Sequence, residues 1–195
     1  MVIDCIIPAA GASSRMGAWK AVLPFGGATM VETVVRAALD AGTRVILVAG
    51  FRADDLAALF TEEPRVAVVR NPGWQSGMLG SIQRGLSALE SDRFFVTPAD
   101  MPLIIPSYYT ALEAAWSSWA APGPRPLFAA HLGEPGHPVL IPSAFVPEIL
   151  RLAPDARLRP FLLERGGRLV ECGSGAVLAD IDAPADYEAA RTGRE

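Results

Sequence analysis

Cysteine, histidine and long apolar runs are all scarce in this chain, and each scarcity removes a class of function. There are two cysteines and two histidines among 195 residues. Cys5 and Cys172 sit in apolar segments with no Cys-x-x-Cys or Cys/His spacing. A disulfide framework and a zinc site are therefore not expected, and buried free thiols are. No run approaches the ~18 consecutive apolar residues of a spanning helix, so no membrane partner is expected. The first residues lack a basic region followed by a long apolar core, so no secretory signal is read there and a cytoplasmic protein is expected. Charge of either sign is also modest. The 17 Lys and Arg against 21 Asp and Glu leave a net charge of −4, which argues against a nucleic-acid partner. What is abundant is hydrophobic content, 51% of the chain. That suits one α/β domain over residues 1–195 with a substantial core.

Apolar β-rich runs alternate with helical patterns, the arrangement of a mainly parallel sheet. Asp4–Pro8, Arg44–Ala49, Val66–Arg70 and Phe94–Thr97 read as strands. Thr29-Met30-Val31-Glu32 is a capping box that opens a helix, and Gly42 closes it. Helices are expected over Asp54–Phe60, Ser81–Leu89 and Ser107–Ala120, the last with Pro106 just ahead of it. Beyond a proline-rich loop, Leu127–His131 and His137–Ile141 read as a small antiparallel pair laid on the parallel sheet. Helices at Ala144–Leu152 and Leu158–Arg165 follow, then strands at Arg168–Cys172 and Val177–Asp180 and a helix from near Ala185.

The segment from Ile6 to Lys20 runs from an apolar strand into a loop of small residues ending in Arg15, Gly17 and Lys20. Small residues let backbone N–H groups surround a polyphosphate. Arg15 offers a planar fork to phosphate oxygens, and Lys20 adds a compact charge in a loop expected to face solvent. The loop is neither a Walker A motif, because Gly17 is followed by Ala18, nor a Gly-x-Gly-x-x-Gly fingerprint, because Gly11 is followed by Ala12-Ser13-Ser14-Arg15. It still reads as a triphosphate cradle, with Ala10, Gly11, Ala12, Ser13, Ser14, Arg15 and Lys20 as the contacts.

Three further segments carry chemistry. Asp100 follows the Phe94–Thr97 strand, where a carboxylate at the carboxyl end of a parallel strand can hold Mg²⁺. Asp180 and Asp182 alternate along an extended stretch and so share a side; one or both would complete the metal site. The loop Arg70–Ser81 lies between a strand and a helix that is expected to begin near Ser81. Its Asn71, Gly77 and Ser81 are candidate contacts to the base or to anionic groups. His137, fixed between Gly136 and Pro138, is a candidate contact to the acceptor substrate or its phosphate. Arg157 and Arg159 read as a solvated helix face, with service to the acceptor's phosphate as the alternative.

Taken in order, these motifs resemble the signatures of the molybdenum-cofactor nucleotidyltransferase family. The first matches that family's Leu-Ala-Ala/Gly-Gly-x-Ser-x-Arg-Met-Gly-x-x-Lys, with Pro8 in place of Leu. Asn71-Pro72-Gly73-Trp74-Gln75-Ser76-Gly77-Met78-Leu79-Gly80-Ser81 is similar to Asn-Pro-x-Trp-x-x-Gly-Met-x-x-Ser. Asp180–Asp186 resembles the closing motif, although Ala183 stands where threonine is usual. Gly133–Val139 resembles the Gly-His-Pro stretch of the cytidylyl-transferring branch, as does the Ala9-Ala10-Gly11 form of the first loop. The resemblance implies a Rossmann-like three-layer α/β fold with a mostly parallel sheet. It also implies a Mg²⁺-dependent reaction, a nucleoside triphosphate donor, a molybdenum-pterin acceptor, and a client molybdoenzyme or its chaperone as onward partner. Arg15, Lys20 and Asp100 then become the catalytic set, and CTP is favoured over GTP by branch alone. Asp155-Ala156-Arg157 departs from the family's Asp-x-Gly-x-Arg, so the acceptor is less defined than the nucleotide chemistry. A sugar-phosphate nucleotidylyltransferase and a non-catalytic pterin carrier stay open as alternatives.

Overall fold

Strand residues of this chain alternate between two apolar layers, and that alternation organises the molecule. The computed structural model describes residues 2–13, 16–118 and 123–192. Its strands are β1 (Asp4–Pro8), β2 (Pro24–Phe25), β3 (Ala28–Thr29), β4 (Arg44–Ala49), β5 (Val66–Arg70), β6 (Arg93–Val96), β7 (Leu127–His131), β8 (Glu134–Pro142) and β9 (Arg168–Glu171). Its helices are α1 (Met30–Asp40), α2 (Ala53–Ala58), α3 (Met78–Gly85), α4 (Pro106–Ser117), α5 (Val146–Ile149), α6 (Leu158–Glu164) and α7 (Pro184–Thr192).

Seven strands form one sheet in the order β5-β4-β1-β6-β8-β7-β9. The first four run parallel, and β8 is antiparallel to both β6 and β7. Cys5, Ile7, Val45, Leu47 and Phe95 face one layer, with α1 and α4 packed over it. Ile6, Ile46, Val48, Phe94 and Val96 face the other, against α3, Phe161 and Leu162. This period of two on a sheet covered on both faces gives the expected three-layer α/β architecture.

α1 starts where the capping box requires. The Thr29 hydroxyl accepts from the Glu32 amide, and the Glu32 carboxylate accepts from the Thr29 amide. Gly42, in the left-handed region at φ 84°, follows the helix end.

Several expectations are corrected. α3 begins at Met78, three residues before Ser81, because Gly77 (φ 101°) turns the chain into the helix there. Pro106 is the first residue of α4 rather than its forerunner, which suits a residue with no N–H to give. The helix expected to Ala120 is described to Ser117. Val177–Asp180 is not a strand: Gly175–Leu178 forms a 3-10 turn, capped by the Ser174 hydroxyl on the Ala176 amide. The Ala144–Leu152 helix shortens to a 3-10 turn, Ser143–Phe145, followed by α5. The separate hairpin of β2 and β3 was not anticipated, although Gly26-Gly27, both at positive φ, is a recognised two-residue hairpin turn. Among the described residues, no helix is long and apolar enough to cross a membrane.

Candidate active site

In the parallel part of the sheet, β4 and β5 lie on one side of β1 and β6 lies on the other. Connections leaving β1 and β6 therefore diverge to opposite sides, and a crevice opens at their carboxyl ends. A cleft of about 320 Å³ occupies that place, lined by the Pro8–Gly11 segment and Ser13 on one side and by Ala99 and Asp100 on the other. Trp74, Gly77, Met78 and Ser81 close it from the loop before α3, and Lys20 and Asp182 form its charged end.

Backbone bonds hold the β1 loop open to this cleft. The Ala9 amide donates to the Val48 carbonyl (2.9 Å), and the Ala10 carbonyl accepts from the Phe51 amide (2.9 Å). Gly50 is required beside it, because a Cβ there would lie 2.5 Å from Trp74 Cβ and 2.8 Å from Ala10 Cβ. Trp74 is thereby pressed close to the loop, with its ring edge-on to Phe51 at 5.9 Å. Ser13 adopts φ 55°, an uncommon angle for a residue with a side chain. Ala10, Gly11 and Ser13 line the cleft, whereas Ala12 is not among its lining residues. Ser14 and Arg15 lie outside the described residues.

Lys20 is the centre of the charged end. Its Nζ donates to Asp100 Oδ2 (3.0 Å), to Asp182 Oδ1 (3.0 Å) and to the Ile181 carbonyl (2.6 Å). It is not the solvent-facing lysine the sequence suggested: its side chain is 14% exposed. One ammonium thus ties together three segments distant in sequence. Burial alone would pull Lys20 down, but Asp100 and Asp182 outweigh it and hold the ammonium above its usual pKa. For Asp100 the balance falls the other way. Burial pushes its carboxyl up, Lys20 opposes the push without cancelling it, and the Asp182 charge adds to it. Asp100 is therefore a buried carboxylate that one lysine does not fully compensate.

The two acidic candidates near Ile181 separate. Ile181 is buried with Phe25 and Met30 in a small cluster, and its amide donates to the Asp100 carbonyl (2.9 Å). Asp182 is delivered to the cleft, while Asp180 is exposed and is not among the lining residues. Both are exposed and flank the buried Ile181, but only Asp182 reaches Lys20.

Asn71 is buried and is not among the lining residues. Its Nδ2 donates to Ser81 Oγ (3.1 Å) and its Oδ1 accepts from the Gly73 amide (3.1 Å), so both ends of the amide hold the loop. Ser81 does line the cleft, but its hydroxyl also donates to the Gly77 carbonyl (3.3 Å). Gly77 lines the cleft beside Met78 and Trp74. His137 stands elsewhere, in the wall of a second cavity that shares Met78 with the first.

A divalent cation fits the charged end. Among the described residues no group of three or more His, Cys, Asp or Glu converges. Mg²⁺ takes one or two carboxylates and completes its shell with waters and substrate phosphates. Asp100 and Asp182 both reach Lys20 Nζ, and the uncompensated burial of Asp100 favours added positive charge.

A crevice at the switch point of a parallel sheet, with a small-residue loop at one wall and a lysine–carboxylate cluster at one end, is the site of a nucleotide-handling α/β protein. The chain belongs to the MobA-like NTP transferase domain family, whose model matches residues 5–169. It is similar to the molybdenum cofactor cytidylyltransferase of Escherichia coli, with 31% identity over 97% of this chain and 95% of that protein. A probable molybdenum cofactor guanylyltransferase of Natronomonas pharaonis is 30% identical over 95% of each. The nicotine blue oxidoreductase of Paenarthrobacter nicotinovorans is 30% identical over 91% of this chain and 90% of that one. Among solved structures, a nucleotidyl transferase from Methanothermobacter superposes with a TM-score of 0.83 at 27% identity, covering 98% of this chain and 97% of the other. The protein is a nucleotidyltransferase of the MobA-like family.

Proposed function

We propose that this nucleotidyltransferase moves CMP from CTP to the terminal phosphate of a molybdenum-pterin acceptor, with Mg²⁺. The observation that carries the reading is the Lys20–Asp100–Asp182 cluster at the end of the small-residue cleft. A protein that only carries a pterin has no use for a lysine tied to two carboxylates beside a small-residue loop. One relative of similar identity is named as an oxidoreductase, so the choice of reaction rests on this cluster rather than on family alone.

The acceptor's phosphate oxygen is largely ionised near neutral pH, its second pKa being about 6, so no side-chain base is needed. That oxygen bonds to the α-phosphorus in line, the bond to the bridging oxygen breaks, and pyrophosphate leaves with the electron pair. Catalysis is then positioning and charge stabilisation. Asp100 and Asp182 are the residues that would hold Mg²⁺, which supplies charge neutralisation at the triphosphate. Lys20 fixes both carboxylates, and Arg15 is assigned to the departing phosphates.

Support for CTP comes from Ala10. Ala10 lines the cleft with its Cβ packed close to Gly50, so this part of the wall carries a methyl that a glycine would lack. A fuller wall suits the smaller base. The two free cysteines, one of them fully buried, accord with a reducing cytoplasm, and a client molybdoenzyme or its chaperone would receive the product.

Pyrophosphate release by the purified protein tests the reading, using Mg²⁺, molybdenum-charged pterin, and CTP or GTP in separate reactions. Release with CTP, and a gain of GTP use in Ala10→Gly, is the expected result. Preference for GTP in the unaltered protein would overturn the base assignment. Silence with both would overturn the acceptor, and sugar phosphates would be tried next.

A further inference from the structure

The second cavity, of about 280 Å³, lies beside the first and shares Met78 with it. Its walls come from strands on one side (Val96, Phe128, Val139) and from α3 and α6 on the other (Leu79, Ile82, Leu162). Its polar side chains are His137, Arg157 and Arg159.

His137 Nδ1 lies 3.2 Å from the Val96 carbonyl. A carbonyl only accepts, so Nδ1 carries the proton and donates. Burial, with the nearby charge of Arg159 adding to it, lowers the imidazole to about 4, so the ring is neutral at physiological pH. Nε2 is then a lone pair with nothing to donate. It has no hydrogen-bond partner among the described residues. Nor is it sealed in, since Trp19 Nε1 is the sole fully enclosed side-chain polar atom without a partner among those residues. His137 Nε2 therefore opens on the cavity. Arg157 and Arg159 are exposed at the same cavity, and neither forms an ion pair or hydrogen bond among the described residues. Arg44, Arg93 and Arg165, by contrast, are all paired with carboxylates.

We propose that this cavity holds a flat, largely apolar heterocycle, that His137 Nε2 selects it by accepting a hydrogen bond from a ring N–H, and that Arg157 and Arg159 take its anionic arm. As the acceptor's site, it rests on reading the neighbouring cleft as the nucleotide's; the ligand chemistry stands by itself. His137 is then a specificity-determining residue for the ring rather than for phosphate, because a lone pair offers nothing to a phosphate oxygen. A ring that presents only acceptors toward Nε2 is rejected, since it leaves two lone pairs facing each other in a desolvated place.

The test is direct binding to the full chain without nucleotide, using two fluorescent probes of similar size. Pterin-6-carboxylate carries ring N–H groups and an anion; 2-naphthoate carries the anion alone. The pterin is expected to bind about tenfold tighter than the naphthoate, the worth of one well-placed hydrogen bond. His137→Phe should erase that ratio, and His137→Gln, whose amide oxygen accepts, should retain most of it. Replacing Arg157 and Arg159 together with alanine should weaken both probes alike and leave the ratio intact. Equal affinities in the unaltered protein, a ratio that survives His137→Phe, or no binding of either probe would overturn the proposal. If His137→Phe does not fold, the ratio in the unaltered protein and in His137→Gln decides. Nucleotide-dependent pyrophosphate release with no probe preference would sink this inference alone. Probe preference without pyrophosphate release would sink the transfer reading alone.

Discussion

A carboxylate–cation cluster stands at each end of the parallel strands, and the two are built to opposite balances. At the amino ends, Asp4 is buried and accepts from Arg44 Nε (2.7 Å), the Glu90 amide (2.8 Å), the Ser91 amide (3.0 Å) and the Ser91 hydroxyl (3.0 Å). Burial pulls its carboxyl up, but these donors together outweigh burial and hold it below the usual range. At the carboxyl ends, burial of Asp100 outweighs Lys20 and the one backbone hydrogen bond that oppose it, and the carboxyl is held above its usual range. The same residue type is thus satisfied at one end of the sheet and left seeking charge at the other. The first arrangement is a lock between β1, β4 and the turn before β6. The second leaves a carboxylate whose burial its partners do not fully offset, a pattern found more at functional sites than in structural ion pairs.

Four substitutions or conditions probe this contrast, from the largest effect down. Asp4→Ala strands a partly buried arginine and several donors, so it should lower unfolding free energy by about 3–5 kcal/mol. Transfer activity per folded molecule should stay close to normal; a mild stability change with lost turnover would show that the lock is part of the site. Lys20→Ala should do the reverse. Its activity should fall on the order of 10²–10³-fold, taking loss of an oxyanion-hole donor as guide, with circular dichroism still native. Near-normal turnover would remove Lys20 from the reaction.

The third effect is one of pH. His137 has a folded-state pKa of about 4 against the ordinary 6.5. The unfolded chain therefore binds a proton first as pH falls, and the folded state loses stability between about 6.5 and 4, on the order of 2–3 kcal/mol. Asp4, held low, keeps its contribution throughout that window and loses it only at more acid pH, as its own carboxyl protonates. Denaturant unfolding at pH 7 and pH 4.5 should show the fall in the unaltered protein and a smaller fall in His137→Gln. Equal falls would place the acid sensitivity elsewhere. Smallest is Asp182→Asn. Its side chain is 50% exposed and solvent screens it, so a loss of about tenfold in kcat/KM is expected, well short of that for Lys20. A loss equal to that of Lys20→Ala would make Asp182 as important as the lysine.

The buried parallel strands were legible because their apolar runs are continuous: Asp4–Pro8, Arg44–Ala49 and Val66–Arg70 are strands at the expected residues. The capping box was legible because it is local chemistry between Thr29 and Glu32. The small-residue loop lines a cleft at the end of β1, as its position after an apolar strand suggests. What stayed hidden depends on distant partners. Nothing near Lys20 in sequence announces that its three donors go to residues 100, 181 and 182. Asp180 and Asp182 are equivalent by spacing, and only the contact of Asp182 with Lys20 at the cleft distinguishes them. Asn71 was read as a contact because its type suits base recognition, yet Ser81 and Gly73 claim both ends of its amide. Gly77 carried the missed signal for the start of α3: its φ of 101° marks where the helix begins.

The tie made by Lys20 also has a meaning in time. A chain leaves the ribosome from its amino end, so the phosphate loop and Asp100 emerge long before Ile181 and Asp182. The core around β1 and β4 can assemble while Lys20 still lacks two of its three acceptors. Ile181 and Asp182, which complete the charged end, follow β9, the last strand of the sheet. If the cleft binds a nucleotide, a chain truncated after Glu171 should bind it far more weakly than one that extends past Asp182, even with the sheet complete.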